Sequence, residues 1–144
     1  MRPDPAARAL REVVADLIGT DDGAARMAGR LWGIETRYAL ADSHPLSGRS
    51  APDFAFDDGT RLGEHLRDGR ALLLDFSGGA ALRQLADQYG GALRYLAADA
   101  QDRLGVAALL VRPDGIVAWA SCAAPELAQA AGAAAASFLG RRDL

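Results

Sequence analysis

Few residues in this chain are of the kinds that do chemistry, and their spacing narrows the choice further. Cys122 is the single cysteine, so no disulfide closes within the chain and no thiol pair can exchange electrons. His44 and His65 have no cysteine or carboxylate at ligand spacing, and HExxH is missing. Both are read as structural, and no metal site is expected. His44 precedes Pro45 and is expected to pin a loop by hydrogen bonding. Ser77-Gly78-Gly79 is the one stretch that resembles an anion cradle, because amides at a strand-to-helix turn can point outward. Serine nucleophilic catalysis is not supported, since GxSxG is absent and neither histidine has a placed acid.

The elements that must position these groups are organised around residues 104–120, LGVAALLVRPDGIVAWA. Ala107 to Val111 is an apolar run of strand length, Arg112-Pro113-Asp114-Gly115 carries turn chemistry, and Ile116 to Ala120 resumes as a second strand. An antiparallel hairpin is expected there. Upstream, Asp4-Pro5 opens a helix with Leu10, Val13, Val14, Leu17 and Ile18 on one face, and Thr20-Asp21-Asp22 caps a second helix with Met27, Leu31 and Trp32. Residues 34–53 read as a long ordered linker. Phe54 to Phe56 is expected as a short edge strand and Thr60 as the cap of a short helix. Ala71 to Phe76 reads as a central strand covered on both faces. A helix carrying Leu82, Leu85 and Tyr89 follows, then a strand at Leu93 to Ala97. The last helix starts at Pro125, carries Leu127, Ala131, Ala134 and Phe138 on one side, and ends at Gly140 before Arg141 and Arg142.

The order is therefore two helices, a linker, then β-α-β-α-β-β-α. That is the order of an α/β thioredoxin-like domain, with a helical extension and linker over residues 1–43 and the domain itself over 44–144. Thioredoxins place CxxC at the start of the helix after the central strand. Here the comparable positions fall near Ala81 and Gln84, and Val106 stands where a cis-proline would be expected. Asp75 matches the buried acid that assists the thioredoxin cysteines, and without thiols it is read as a structural acid held by hydrogen bonds.

At 144 residues, half of them hydrophobic, the chain can bury one real core. A net charge of −3 gives no basic face for phosphates, so nucleic acid is excluded as a partner. No apolar run approaches the roughly 20 residues of a membrane span, and no signal pattern opens the chain. A cytoplasmic protein is expected. Trp32 and Tyr38 lie on the segment that has no sheet of its own, which makes them candidates either for an interface or for covering the sheet edge, whereas Trp119 is expected in the core. His44 joins them as a candidate interface residue.

The tract HPLSGRSAPDFAFDDGTRLGEHLRDGRALLLDF (44–76), followed by GVAALLVRPDGIVAWA (105–120), resembles the C-terminal thioredoxin-like domain of flavin-dependent aromatic hydroxylases, including those that oxygenate aromatic polyketides. The preceding segment LREVVADLIGTDDGAARMAGRLWGIETRYAL resembles the helices that lead into that domain. The family uses FAD and NAD(P)H, but this chain has no GxGxxG turn for a dinucleotide, so no cofactor is expected in it. The resemblance implies a non-catalytic accessory or interaction protein of aromatic polyketide (antibiotic) biosynthesis. Its partner would be a separate FAD-dependent hydroxylase or a second copy in a homodimer. The alternative is a small enzyme or binder that takes an aromatic polyketide ligand without flavin, at the Ser77 to Gly79 turn or the groove beside Val106.

Overall fold

The computed structural model describes residues 4–33 and 36–123, together with 131, 132, 135 and 139. It divides into two compact units, Met1–Thr36 and Arg37–Leu144. In the first, α1 (Pro5–Ile18) starts where the Asp4 side chain accepts from the Ala6 amide at 3.2 Å, with proline at the first helical position. Thr20 caps α2 (Asp21–Leu31) by accepting from the Gly23 amide at 3.1 Å, and Asp21 and Asp22 sit at its positive end. Gly23 has a steric reason: a Cβ there would run into the Leu17 carbonyl at the end of α1.

The second unit is built on a four-stranded sheet of order β2-β1-β3-β4, formed by β1 (Ala71–Asp75), β2 (Leu93–Ala97), β3 (Ala108–Val111) and β4 (Val117–Ser121). A helix, α4 (Ala80–Gln88), connects β1 to its parallel neighbour β2. Strand β3 pairs antiparallel with both β1 and β4. Every residue of β1 and β3 is buried, because both faces are covered. On one face Ala71, Leu73 and Leu110 pack with Leu82, Leu85, Ala86 and Tyr89 and with Trp119. On the other, Leu72, Leu74, Leu109, Val111 and Val117 pack with Phe54, Phe56, Leu62 and Phe76. Burial of each leucine, valine or phenylalanine among them stabilises by about 1.5–3 kcal/mol before conformational entropy is subtracted.

The hairpin between β3 and β4 closes as its sequence requires. The Gly115 amide donates to the Arg112 carbonyl at 2.9 Å, the Arg112 amide donates to the Ile116 carbonyl at 2.8 Å, and Gly115 takes a φ of 81°. Pro113 presets the turn and glycine supplies the left-handed residue that lets the ladder resume.

The stretch Phe54 to Phe56 departs from the expected strand and makes only isolated bridges, Ala55 with Arg61 and Phe56 with Ala100. The Asp57-Asp58-Gly59 turn reverses the chain before a ladder can lengthen. The helix expected from Thr60 is a single turn, α3 (Leu62–His65), started by the Glu64 carboxylate accepting from the Arg61 amide at 3.0 Å. Thr60 instead donates its hydroxyl to Asp58 at 2.6 Å. Of the expected C-terminal helix, Pro125, Leu127, Ala134, Phe138, Gly140, Arg141 and Arg142 lie outside the described residues. Ala131 and Ala135 are fully buried in the core that holds Leu82 and Trp119, and Leu139 packs against it.

Candidate functional site

At the end of β1 the chain brings its most demanding polar group into the core. Asp75 is fully buried and accepts hydrogen bonds on both carboxylate oxygens. Oδ1 receives the Ser77 amide at 2.8 Å, the Ser77 hydroxyl at 2.6 Å and the Gly78 amide at 3.1 Å. Oδ2 receives the Gly79 amide and the Tyr95 hydroxyl, each at 2.8 Å. Burial pushes the Asp75 carboxyl up, but the hydrogen bonds from the Ser77 and Tyr95 side chains and the Ser77 and Gly79 amides outweigh it and hold it below the ordinary carboxylate value. Burial, the Asp75 hydrogen bond and the Asp75 charge push the Tyr95 phenol up to about 12, and the Arg83 guanidinium, 4.7 Å from the ring centroid, opposes them.

This arrangement decides what the Ser77-Gly78-Gly79 turn can do. The amides that the sequence offered to an anion point inward, and the anion they hold is Asp75. The positions comparable to a thioredoxin dithiol, Ala81 and Gln84, are exposed on α4 and carry no nucleophile. A carboxylate held ionised by five donors is a poor general base. The Ser77-Gly78-Gly79 turn therefore has no amide free to cradle a phosphate. Val106 is buried in the core with Phe76, behind the left-handed pair Leu104 (φ 50°) and Gly105 (φ 72°).

A second polar cluster lies in the tract 37–51. The Asp42 carboxylate accepts from the Ser47 hydroxyl, and from the Ala120 amide of β4 at 3.1 Å. The Arg37 guanidinium donates to the Ser47 carbonyl at 3.1 Å and to the His44 carbonyl at 3.3 Å. Backbone bonds then run along β4: the Gly48 amide to the Val117 carbonyl, the Val117 amide to the Arg49 carbonyl, and the Ala51 amide to the Gly115 carbonyl, all at 2.8–2.9 Å. The HPLSGR tract therefore covers a sheet edge that would otherwise be open to pairing. His44 Nδ1 accepts from the Leu46 amide at 3.2 Å, and Nε2 lies 3.4 Å from Cys122 Sγ. An open cleft of about 310 Å³ is lined by Arg37, Tyr38, Ala39, Leu40, Asp42 and Ser47.

The family profile described as "Aromatic-ring hydroxylase, C-terminal" matches residues 44–141. The chain belongs to this family. Among curated relatives, a monooxygenase of Claviceps purpurea is 46% identical over 121 residues, spanning 83% of this chain and 24% of that protein. The 12-dehydrotetracycline 5-monooxygenase/anhydrotetracycline 6-monooxygenase of Streptomyces rimosus is 35% identical over 134 residues, spanning 86% and 26%. Among solved structures, the anhydrotetracycline hydroxylase OxyS of Streptomyces rimosus superposes with a TM-score of 0.71 at 30% identity, over 96% of this chain and 30% of that one. The hydroxylase C-terminal domain described here thus has a thioredoxin-like fold and spans about a quarter of the length of the curated relatives it matches.

The candidate interface residues are divided between the two units. Trp32 ends α2 in the first unit and is 77% exposed, while Tyr38 is half exposed and His44 half buried in the second unit. Trp119 is in the core. His65 is engaged with the Thr60 hydroxyl at 2.9 Å and stacks edge-on against Phe56. Among the described residues no three His, Cys, Asp or Glu side chains converge as metal ligands, and no helix is long and apolar enough to cross a membrane. Sequence reasoning missed Tyr95, Arg83 and Asp42. Only the parallel register that sets Leu73 beside Tyr95 brings the phenol over Asp75.

Proposed function

We propose that this chain is a non-catalytic, thioredoxin-like accessory domain of a flavin-dependent aromatic hydroxylase system in aromatic polyketide biosynthesis. The observation that carries the reading is the closed Asp75 network, which fills the place where the fold does thiol chemistry and leaves no group there to attack, to abstract a proton or to cradle a cofactor phosphate. The relatives' names supply the chemistry, and the chain spans about a quarter of those proteins. The partner is a separate FAD-dependent hydroxylase body, which carries FAD and uses NAD(P)H. Exposed Trp32 and Tyr38 are suited to anchoring such a contact. The setting is cytoplasmic.

The test pairs this chain with the Streptomyces rimosus anhydrotetracycline monooxygenase truncated before its matching segment. The chain alone is expected to retain no flavin and to oxidise no aromatic substrate, and its addition to the truncated body should restore hydroxylation. FAD retained by the purified chain, or turnover by the chain alone, would overturn the reading.

A further inference from the structure

Among the described residues one non-glycine residue takes a positive φ, Leu104 at 50°. Gly105 follows at 72°, and the Val106 amide donates to the Arg103 carbonyl at 2.9 Å, so Leu104 and Gly105 are the central pair of a turn with the type I′ pattern. Such turns select asparagine, aspartate or glycine at the first central position, because in the left-handed region a Cβ crowds the following carbonyl. Leucine meets that cost and gains little for it. Its side chain stays 51% exposed, whereas Val106, two residues on, is buried beside Phe76. An exposed leucine is ordinary, and so is a left-handed turn. Leucine uncovered at the strained position of one breaks a local rule with no offsetting contact inside the chain, and such breaks gather where proteins meet their ligands and partners.

The charges around the turn say what kind of surface fits it. Asp102 braces the turn, its Oδ1 accepting from the Leu104 amide at 2.8 Å. Asp99 takes both donors of the Arg103 guanidinium, at 2.8 and 2.6 Å, and so neutralises it. Asp57 runs alongside, its amide donating to the Asp99 carbonyl at 3.2 Å. All three acids are exposed, so the leucine tip is carried on loops with three carboxylates against one guanidinium. A partner must therefore offer an apolar socket bordered by positive charge. We propose that Leu104 is an anchor by which this domain docks on the hydroxylase body, in an apolar socket bordered by arginine or lysine. The proposal rests on the accessory role above and adds the docking surface to it.

Leu104→Asn is the deciding variant, because strain and contact give it opposite signs. In urea unfolding of the full chain it should raise the midpoint, since asparagine suits the turn. In calorimetric binding to the truncated Streptomyces rimosus monooxygenase used above, with its bound FAD as the check on folding, it should weaken affinity by about tenfold. Asp57→Lys and added salt should each weaken the same binding. A Leu104→Asn chain that binds as tightly as the wild type overturns the proposal and leaves the accessory role standing. A midpoint that falls also overturns it, because the leucine is then packed within the chain. So does an affinity that neither Asp57→Lys nor salt moves. Wild-type chain that fails to bind the flavin-loaded body overturns the accessory role itself, and this proposal with it.

Discussion

Tyr95 on β2 donates its hydroxyl to Asp75 on β1 at 2.8 Å, tying an edge strand to the carboxylate at the end of the central one. Burial of the phenol, its hydrogen bond to Asp75 and the Asp75 charge all favour the neutral phenol, and the Tyr95 pKa rises from 10.0 to about 12. The folded value exceeds the unfolded one, so the stabilisation is complete below pH 10 and is lost as pH rises through about 12. An ultraviolet titration should show a late tyrosine step near pH 12. Tyr95→Phe should remove that late step and cost about 1–3 kcal/mol in urea unfolding, because Oδ2 loses a donor in a buried site.

Asp75 has the opposite sign. Its folded pKa lies below the ordinary carboxylate value, so its contribution is present above the unfolded pKa and is lost as pH falls through the folded one. Asp75→Asn presents an amide NH2 to one set of donors, either the Ser77 and Gly78 amides or the Gly79 amide and the Tyr95 hydroxyl. A loss of about 1–3 kcal/mol is expected at neutral pH, shrinking in acid as the wild-type carboxylate protonates. An equal loss at neutral and acid pH would show that Asp75 acts by shape and not by charge.

The sheet was legible because its signals are local. Arg112-Pro113-Asp114-Gly115 specifies its own turn, and the apolar run Ala71 to Leu74, short and set between Gly69 and the Ser77-Gly78-Gly79 turn, reads as a strand covered on both faces. The Ser77-Gly78-Gly79 turn was also legible, yet its occupant was not. Strand-to-helix glycines look alike whether they hold a phosphate or the chain's own carboxylate, and only the fold shows Asp75 turning back onto them. Asp42 was invisible for a similar reason, because its partner Ala120 lies 78 positions away. Phe54 to Phe56 misled because alternation marks which residues are buried, not whether a ladder forms beside them.

Edge protection by the 37–51 tract makes Gly48 irreplaceable. Its φ is 79°, and a Cβ would run into the Tyr38 carbonyl, which lies beside the bond from the Tyr38 amide to the Gly48 carbonyl at 2.8 Å. Gly48→Ala combines a left-handed backbone with a steric clash. It should lower stability by about 2 kcal/mol or more, and hydrogen exchange should quicken at Val117 and Ala120 while the β1 amides stay slow. Unchanged exchange along β4 would show that the tract does not guard that edge.

Cys122 and His44 have the look of a catalytic dyad, but the hydrogen bonds assign the proton the wrong way. His44 Nδ1 accepts from the Leu46 amide, so the neutral ring carries its hydrogen on Nε2, the atom facing Cys122 Sγ. The imidazole donates toward sulfur and has no lone pair there to take the thiol proton. Because Cys122 is exposed, iodoacetamide should alkylate it in the folded protein. Cys122→Ser should leave stability within about 0.5 kcal/mol. A folded chain that iodoacetamide leaves unmodified would show that the thiol is shielded.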